Sequence, residues 1–325
     1  MKKISIIGGS GFIGQNLANT FLKNNYSFEI LDLVQSKGFE TKYNFFDVTS
    51  LDGKEKVTGE IIINLSAEHK DDVKPASRYY EVNEKGAENI CRIAEAKNIT
   101  TIVFTSSVAV YGFASPKTGE DGDIKPFNDY GKSKAKAEKV YQDWYQRDPE
   151  NRKLIIIRPT AVFGKNNRGN IYNLFNQINS GFFAMIGSGK NIKSIAYVEN
   201  LVDFITFSLN LNNGYHLYNF IDKPDLDMNN LVKLIKEILN KQDILTIKIP
   251  YFLAYLIGKI ADFISFVTRT SFPISSIRVE KFCKNTQFDT AVTSSGFEPK
   301  ITLNEAIKIT LKEEFFDKAK DKLKR

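Results

Sequence analysis

Tyr130 and Lys134 stand four residues apart in the run YGKSK, one helical turn from each other and so on one face of a helix. A free tyrosine titrates near about 10 and is a poor base at neutral pH. An ammonium beside the phenol favours the phenolate, as does a positively charged ring nearby. Such a phenolate can take a proton from a sugar or alcohol hydroxyl while hydride leaves the same carbon. Ser107, in the run Thr105-Ser106-Ser107, supplies a hydroxyl to hold that oxygen as it becomes a carbonyl. A lone Tyr and Lys at this spacing are ordinarily just solvated. Their companions give the pair its meaning.

The hydride needs a partner. The run GGSGFIG sets Gly8, Gly11 and Gly14 directly after the apolar stretch ISII. Gly8 permits a tight turn, Gly11 lets backbone approach a pyrophosphate at a helix N-terminus, and Gly14 allows close helix–strand packing. Phe12 and Ile13 fill the first turn of that helix. Asp32 follows about 20 residues on, where a carboxylate accepts hydrogen bonds from ribose hydroxyls and repels a 2′-phosphate. Leu33 beside it offers no phosphate-reading arginine, so NAD is expected over NADP. Asp47 and Val48 are placed to meet the adenine, although Asp at a strand end is also a common turn former.

Holding these groups together takes alternating strands and helices. Strands are expected at 3–7, 27–33, 42–46, 60–65, 101–105 and 153–158, and helices at 11–24, 79–97 and 129–147. That alternation, with continuous apolar strands, predicts an α/β fold: a Rossmann-type doubly wound parallel sheet, helices on both faces. Thr105 to Ser107 then fall at the C-terminal end of a strand, the edge where open parallel sheets bind ligands. After Pro159 the pattern loosens into loops rich in Gly, Asn and Lys. The expected division is a cofactor domain over 1–160 and a smaller mixed α/β substrate lobe over 161–325, with room for one strand or helix to cross back.

The 325 residues are 42% apolar and 26% charged, ordinary for a globular protein. The two cysteines, Cys91 and Cys283, form no CxxC or Cys/His cluster, so neither a disulfide framework nor a metal site is expected, and a reducing cytoplasm fits. The N-terminal apolar run is too short for a signal-peptide core. The net charge of +7 reads either as a diffuse positive surface or as attraction to a diphosphate or an anionic membrane face. No basic run interleaved with aromatics suggests nucleic acid.

One segment stands apart, IPYFLAYLIGKIADFISFVTR at 249–269. Tyr255, Gly258, Lys259, Asp262, Ser265 and Arg269 share one narrow wedge, and apolar residues cover the rest of the helix 250–268. Lys259 and Asp262 make it a poor spanning helix. Two readings stay open: a core helix of the small lobe, or a helix lying at a membrane face.

Taken as a set, GGSGFIG, FTSSVAVYG (104–112), YGKSK, IRPTAVFG (157–164) and AYVEN (196–200) resemble the extended short-chain dehydrogenase/reductase family, in its NAD-dependent epimerase/dehydratase branch, over essentially the whole chain. SAEHKDDVKP (66–75), NRGNIYNLFNQI (167–178), YNFIDKPDLDMNNLV (218–232) and SSIRVEKFCKNTQFD (275–289) are similar to a narrower group: bacterial enzymes that invert C4 of an N-acetylhexosamine in surface-polysaccharide assembly. Some of these act on a sugar linked through diphosphate to undecaprenol. The resemblance implies an isomerase with NAD as cofactor and a diphosphate-linked amino sugar as substrate, GlcNAc and GalNAc interconverting on UDP or polyprenyl diphosphate. It also implies a homodimer, and a cytoplasmic enzyme that can sit on the inner face of the membrane. It puts Leu65, Ser66, Ala67 and Pro159 against the cofactor and Asn83 near the active-site face. Asn170, Lys193 and Arg278 fall at substrate positions; Lys193 replaces an Arg, a point charge in place of a fork. Asn200 replaces a commoner Asp. His69 reads either as a substrate contact or as a structural hydrogen-bonding group. Two other functions stand beside the epimerase: a net oxidoreductase, either a 4-keto sugar reductase or a hydroxysteroid-type dehydrogenase, and a non-catalytic dinucleotide sensor. Intact Ser107, Tyr130 and Lys134 argue against the sensor.

Overall fold

The structure, a computed structural model, describes residues 2–70, 73–268, 270 and 275–317. Asp71 and Asp72 of the loop motif, and Arg269 of the polar wedge, lie outside the described residues. In chain order the first half holds β1 (Ile4–Ile7), α1 (Phe12–Lys23), β2 (Phe28–Asp32), β3 (Tyr43–Phe45), β4 (Ile61–Asn64), α2 (Ser77–Tyr79), α3 (Gly86–Ala96), β5 (Thr101–Thr105), α4 (Asp129–Gln146) and β6 (Lys153–Pro159). Then come β7 (Ala161–Phe163), α5 (Asn170–Ser180), β8 (Ala184–Ile186), β9 (Ile192–Lys193), β10 (Ile195–Tyr197), α6 (Val198–Ser208) and β11 (Gly214–Phe220). The chain closes with β12 (Leu226–Asp227), α7 (Met228–Ile238), β13 (Ile247–Ile249), α8 (Tyr251–Thr268), α9 (Ser276–Cys283) and α10 (Leu303–Leu311).

Seven strands make one parallel sheet in the order β11-β6-β5-β4-β1-β2-β3. Side chains alternate across a strand, so Ile6 enters one core and its neighbour Ile7 the other. The first core packs Leu17 and Phe21 of α1 and Phe204 of α6 beneath the sheet. The second packs Ile90 of α3 with Tyr141 and Trp144 of α4 on the opposite face. This two-sided burial explains the uninterrupted apolar strands. The seventh strand, β11, comes from beyond Pro159 and pairs with β6 from Gly214 opposite Lys153 to Phe220 opposite Pro159.

The segment expected as one helix over 79–97 is interrupted. A π-helical stretch at Tyr80–Lys85 separates α2 from α3. It turns Asn83 inward, where its side chain meets three distant groups described below; π-turns recur where a side chain is re-aimed in this way.

The core-helix reading of 249–269 is overturned. Of the residues of α8 only Ala254 and Gly258 are buried, while Phe252, Leu256, Ile260, Phe263 and Phe266 are exposed. Within the narrow wedge Gly258 is buried and Tyr255, Asp262 and Ser265 are half-buried, while Lys259 is exposed. A Cβ on Gly258 would stand 2.7 Å from the Ser276 nitrogen, and the Asp262 carboxylate accepts from the Ser276 N–H at 3.2 Å and its hydroxyl at 2.6 Å. The helix is long and apolar enough to cross a membrane by length and composition.

Candidate active site

The expected cofactor residues meet at the C-terminal edge of the sheet. Gly8 has φ +75°, and a Cβ there would lie 2.5 Å from the Ser66 nitrogen, so the loop Leu65–Ala67 after β4 presses on the glycine turn. A Cβ on Gly14 would stand 2.5 Å from Gly9 backbone, which holds α1 against the turn. Helix α1 starts at Gly11 with no side chain capping it, Phe12 and Ile13 forming its first turn. Asp32 Oδ2 accepts from the Ser10 N–H at 3.0 Å, which ties the end of β2 to the glycine loop. Leu33 is exposed beside it. Asp47 Oδ1 accepts from the Thr49 N–H and hydroxyl at 2.9 and 2.7 Å, a turn-forming role. Val48 is buried against Gly86. An uncapped helix start, a cradle that a Cβ would fill and a carboxylate at the end of β2 fit a dinucleotide, with its pyrophosphate at α1 and a ribose at Asp32.

The reacting groups lie along the same edge. Asn128 caps α4 by accepting from the Gly131 N–H at 2.9 Å. A Cβ on Gly131 would be 2.5 Å from the Ala109 carbonyl, so α4 begins hard against the turn that follows β5. That approach sets Tyr130 beside Ser107, whose hydroxyl accepts from the Ala109 N–H at 3.1 Å. Burial raises the Tyr130 phenol above its ordinary value, and the neighbouring Ser107 hydroxyl opposes this. Lys134 is buried; its Nζ donates to the Thr105 carbonyl at 2.6 Å and sits 4.1 Å from the Phe104 ring centre. Burial pulls it down to about 7, against the pull of Glu138. The Thr105 hydroxyl donates to the Asn64 carbonyl at 3.2 Å. The buried Ser106 hydroxyl has no partner among the described residues, so the edge keeps one polar group unspent. Pro159 ends β6 next to this row.

Asn83 is fully engaged. Its Oδ1 accepts from the Glu68 N–H at 2.9 Å, and its Nδ2 donates to the Glu68 carbonyl at 3.1 Å and the Ser133 hydroxyl at 2.8 Å. It braces the loop after β4 to α4. His69 is exposed on the same loop, its Nδ1 3.4 Å from the Ala67 carbonyl oxygen. Asn170 is exposed at the start of α5, and Arg278 is exposed on α9. Lys193 Nζ donates to the carbonyls of Lys281 at 2.9 Å and Lys284 at 2.8 Å, clipping β9 to the end of α9 and leaving one of its three N–H groups. Burial lowers it to about 8.

Sequence reasoning missed Glu138 and Arg158. Tyr130, Lys134 and Glu138 step by four along α4, a signal that was present. Arg158 adjoins Pro159 in β6, and its pairing with Glu138 is buried.

A glycine-rich turn between strand and helix, a carboxylate at the end of β2 and a Ser–Tyr–Lys set on one sheet edge fit a dinucleotide-dependent enzyme that works on a carbinol carbon. The chain belongs to the NAD dependent epimerase/dehydratase family, whose profile matches residues 4–220. NAD is its cofactor. It is 44% identical over 322 residues, 98% of this chain and 97% of the relative, to the N-acetyl-alpha-D-glucosaminyl-diphospho-ditrans,octacis-undecaprenol 4-epimerase of Escherichia coli O157:H7. The human sterol-4-alpha-carboxylate 3-dehydrogenase, decarboxylating, is 26% identical over 62% of this chain and 56% of that protein. Among solved structures, the UDP-glucose 4-epimerase of Thermotoga maritima covers 99% of each chain with a TM-score of 0.76 at 18% identity. The UDP-N-acetylglucosamine 4-epimerase of Bacillus cereus matches over 96% of this chain and 99% of its own, with a TM-score of 0.75 at 18% identity. At that identity the two structures speak for the fold.

Proposed function

We propose that this protein inverts C4 of an N-acetylglucosamine carried on a polyprenyl diphosphate, interconverting GlcNAc and GalNAc through a 4-keto sugar, in the assembly of a surface polysaccharide. The observation that carries this reading is the end-to-end likeness to the undecaprenyl-linked relative of Escherichia coli. NAD, when bound, takes up the C4 hydride and returns it. Tyr130 removes the O4 proton and gives it back. Ser107, beside the phenol, holds O4 while it is a carbonyl oxygen. Lys134, fixed on the Thr105 carbonyl, brings its amine to the same helix face as Tyr130.

The apolar face of α8 belongs to this reading. It would rest on the inner face of the cytoplasmic membrane, where the carrier lipid holds the sugar. Arg278 on the neighbouring α9 would meet the diphosphate. A homodimer is part of the same reading, and light scattering of the purified protein tests it.

The deciding experiment offers polyprenyl-diphosphate-GlcNAc and UDP-GlcNAc side by side to purified protein without added cofactor. Epimerisation on the polyprenyl carrier, with no net change in reduced-nicotinamide absorbance, is the expected result. Conversion on UDP alone would move the substrate to the nucleotide sugar. Turnover only with added nicotinamide, in step with absorbance, would point to the net oxidoreductase that the sterol dehydrogenase likeness favours.

A further inference from the structure

Helix α8 is not the only exposed apolar surface of the small lobe. Phe182 is 89% exposed, Leu245 88% and Ile247 67%. They cluster at one end of the two-stranded sheet of β8 and β13, in which Ile247 lies opposite Ala184. The chain leaves β13 through Pro250, whose carbonyl accepts from the Leu253 and Ala254 N–H groups at 3.1 Å, so β13 runs straight into α8. The helix that seats α8 also reaches β8, with Cys283 Sγ 3.6 Å from the Ile186 carbonyl.

Strand alternation puts Ile247 and Ile249 on one face of β13 and Lys248 on the other. On the Lys248 side lies a cavity of about 330 Å³, whose wall combines the apolar Met185 and Val232 with Lys233, Lys236 and Glu237 of α7 and Lys248 of β13. Three lysines and one glutamate stand in this wall. Glu237 is 4.0 Å from Lys233, at the outer limit of an ion pair. Lys236 donates to the Ile244 carbonyl and to the Thr246 hydroxyl, which leaves one of its three N–H groups for a ligand. One strand thus carries apolar side chains on one face and a cationic recess on the other. That is the layering of the boundary between acyl chains and headgroups, which interfacial elements enter by about 5–10 Å.

We propose that this cavity binds the headgroup phosphate of an anionic glycerophospholipid, whose acyl chains lie against Phe182, Leu245 and Ile247. The proposal rests on the membrane reading of α8 and adds to it a second, charge-selective point of attachment. The occupant is a lipid, because the cationic recess and the exposed apolar cluster share one strand and a free anion would use only the first.

The test is sedimentation of the full chain with vesicles of phosphatidylcholine alone or with one third phosphatidylglycerol. Wild type should bind the mixed vesicles more tightly. K233Q/K248Q should lose about 30-fold of that gain, at about 1 kcal/mol per lysine near an anionic surface, and still bind phosphatidylcholine and retain NAD. The pair K132Q/K139Q on α4, remote from the cavity, should lose little; an equal loss there would overturn a specific site. A gain that survives in K233Q/K248Q, or that inorganic phosphate competes away at low concentration, would also overturn it, the latter by assigning the recess to a free anion. Binding to neutral vesicles without any gain from phosphatidylglycerol defeats the headgroup site alone. Binding to neither vesicle defeats the membrane reading of α8 as well.

Discussion

Glu138 grips Arg158 through two hydrogen bonds, Nε to Oε1 at 2.9 Å and Nη2 to Oε2 at 2.6 Å, one helical turn beyond Lys134. The pair ties the catalytic helix to β6 just ahead of Pro159. Arg158 Nη1 also donates to the Tyr111 hydroxyl at 2.5 Å, and Tyr111 donates to Asn219 Oδ1 at 2.8 Å. The turn that Ser107 opens and the strand that crosses back from the small lobe are therefore held by one buried network.

Glu138→Gln should strip the guanidinium of its counter-charge in a buried place, at a cost of about 3–5 kcal/mol. It should also act on Lys134. Glu138 raises that lysine against the effect of burial, so without it the amine deprotonates at lower pH. The expected result is a pH–rate profile whose alkaline limb moves to lower pH. The pair E138Q/R158Q recovers part of the stability, measured by urea unfolding, and leaves the profile shifted. An unmoved profile in both variants would confine Glu138 to a structural part.

Tyr130→Phe removes the phenol beside Ser107. General acid–base help of this kind is worth about 10²–10⁴-fold. Turnover should fall by at least the lower figure, while the NAD released on denaturation stays at wild-type stoichiometry. Full activity in this variant would take the base role from Tyr130.

The cofactor half was legible because its signals are local. The apolar run before Gly8, the glycine spacing and the four-residue step from Tyr130 to Lys134 each span a few residues, and it is as a set that they admit one physical reading. Asn83 was harder, since its partners Glu68 and Ser133 lie far off in sequence and only packing brings them together. The charge of Lys193 is visible in sequence, and the carbonyls at the end of α9 that fix its position are not. For α8, periodicity located the wedge that holds the buried Gly258. An apolar face has the same pattern whether protein or lipid covers it, so exposure had to come from the structure.

Lys134 makes folding depend on pH in a defined sense. Its ammonium is held down from 10.5 to about 7 by burial. Between those values the unfolded chain binds a proton that the folded protein does not, so stability from this group rises as pH climbs from about 7. Below that, both states carry the proton and the cost is constant. Lys134→Met should abolish turnover, stabilise the protein at neutral pH and flatten the rise in urea midpoint from about pH 7 to about pH 9. An unchanged slope would mean that the amine is charged in the folded state throughout.

Asn200 makes a sharper case, because the resemblance leads one to expect Asp at this place. Its Nδ2 donates to Asp222 Oδ1 at 2.7 Å and to the Ile301 carbonyl at 2.8 Å. Asp222 also accepts from the Tyr197 N–H at 2.5 Å, and burial raises it from 3.8 to about 6 while both donors oppose that. Asn200→Asp would replace a donor with a second carboxyl facing the first, and one of the two must then keep a proton. A carboxyl raised in the folded state loses stability as pH climbs from its unfolded value to its folded one. The variant should therefore be destabilised by about 1–3 kcal/mol at pH 7, and by less as pH falls toward about 4. Urea unfolding at both ends of that window checks this, with the wild type measured alongside to remove its own Asp222 slope. Equal destabilisation at the two ends would show that the loss is of packing or geometry, and that no proton is trapped between residues 200 and 222.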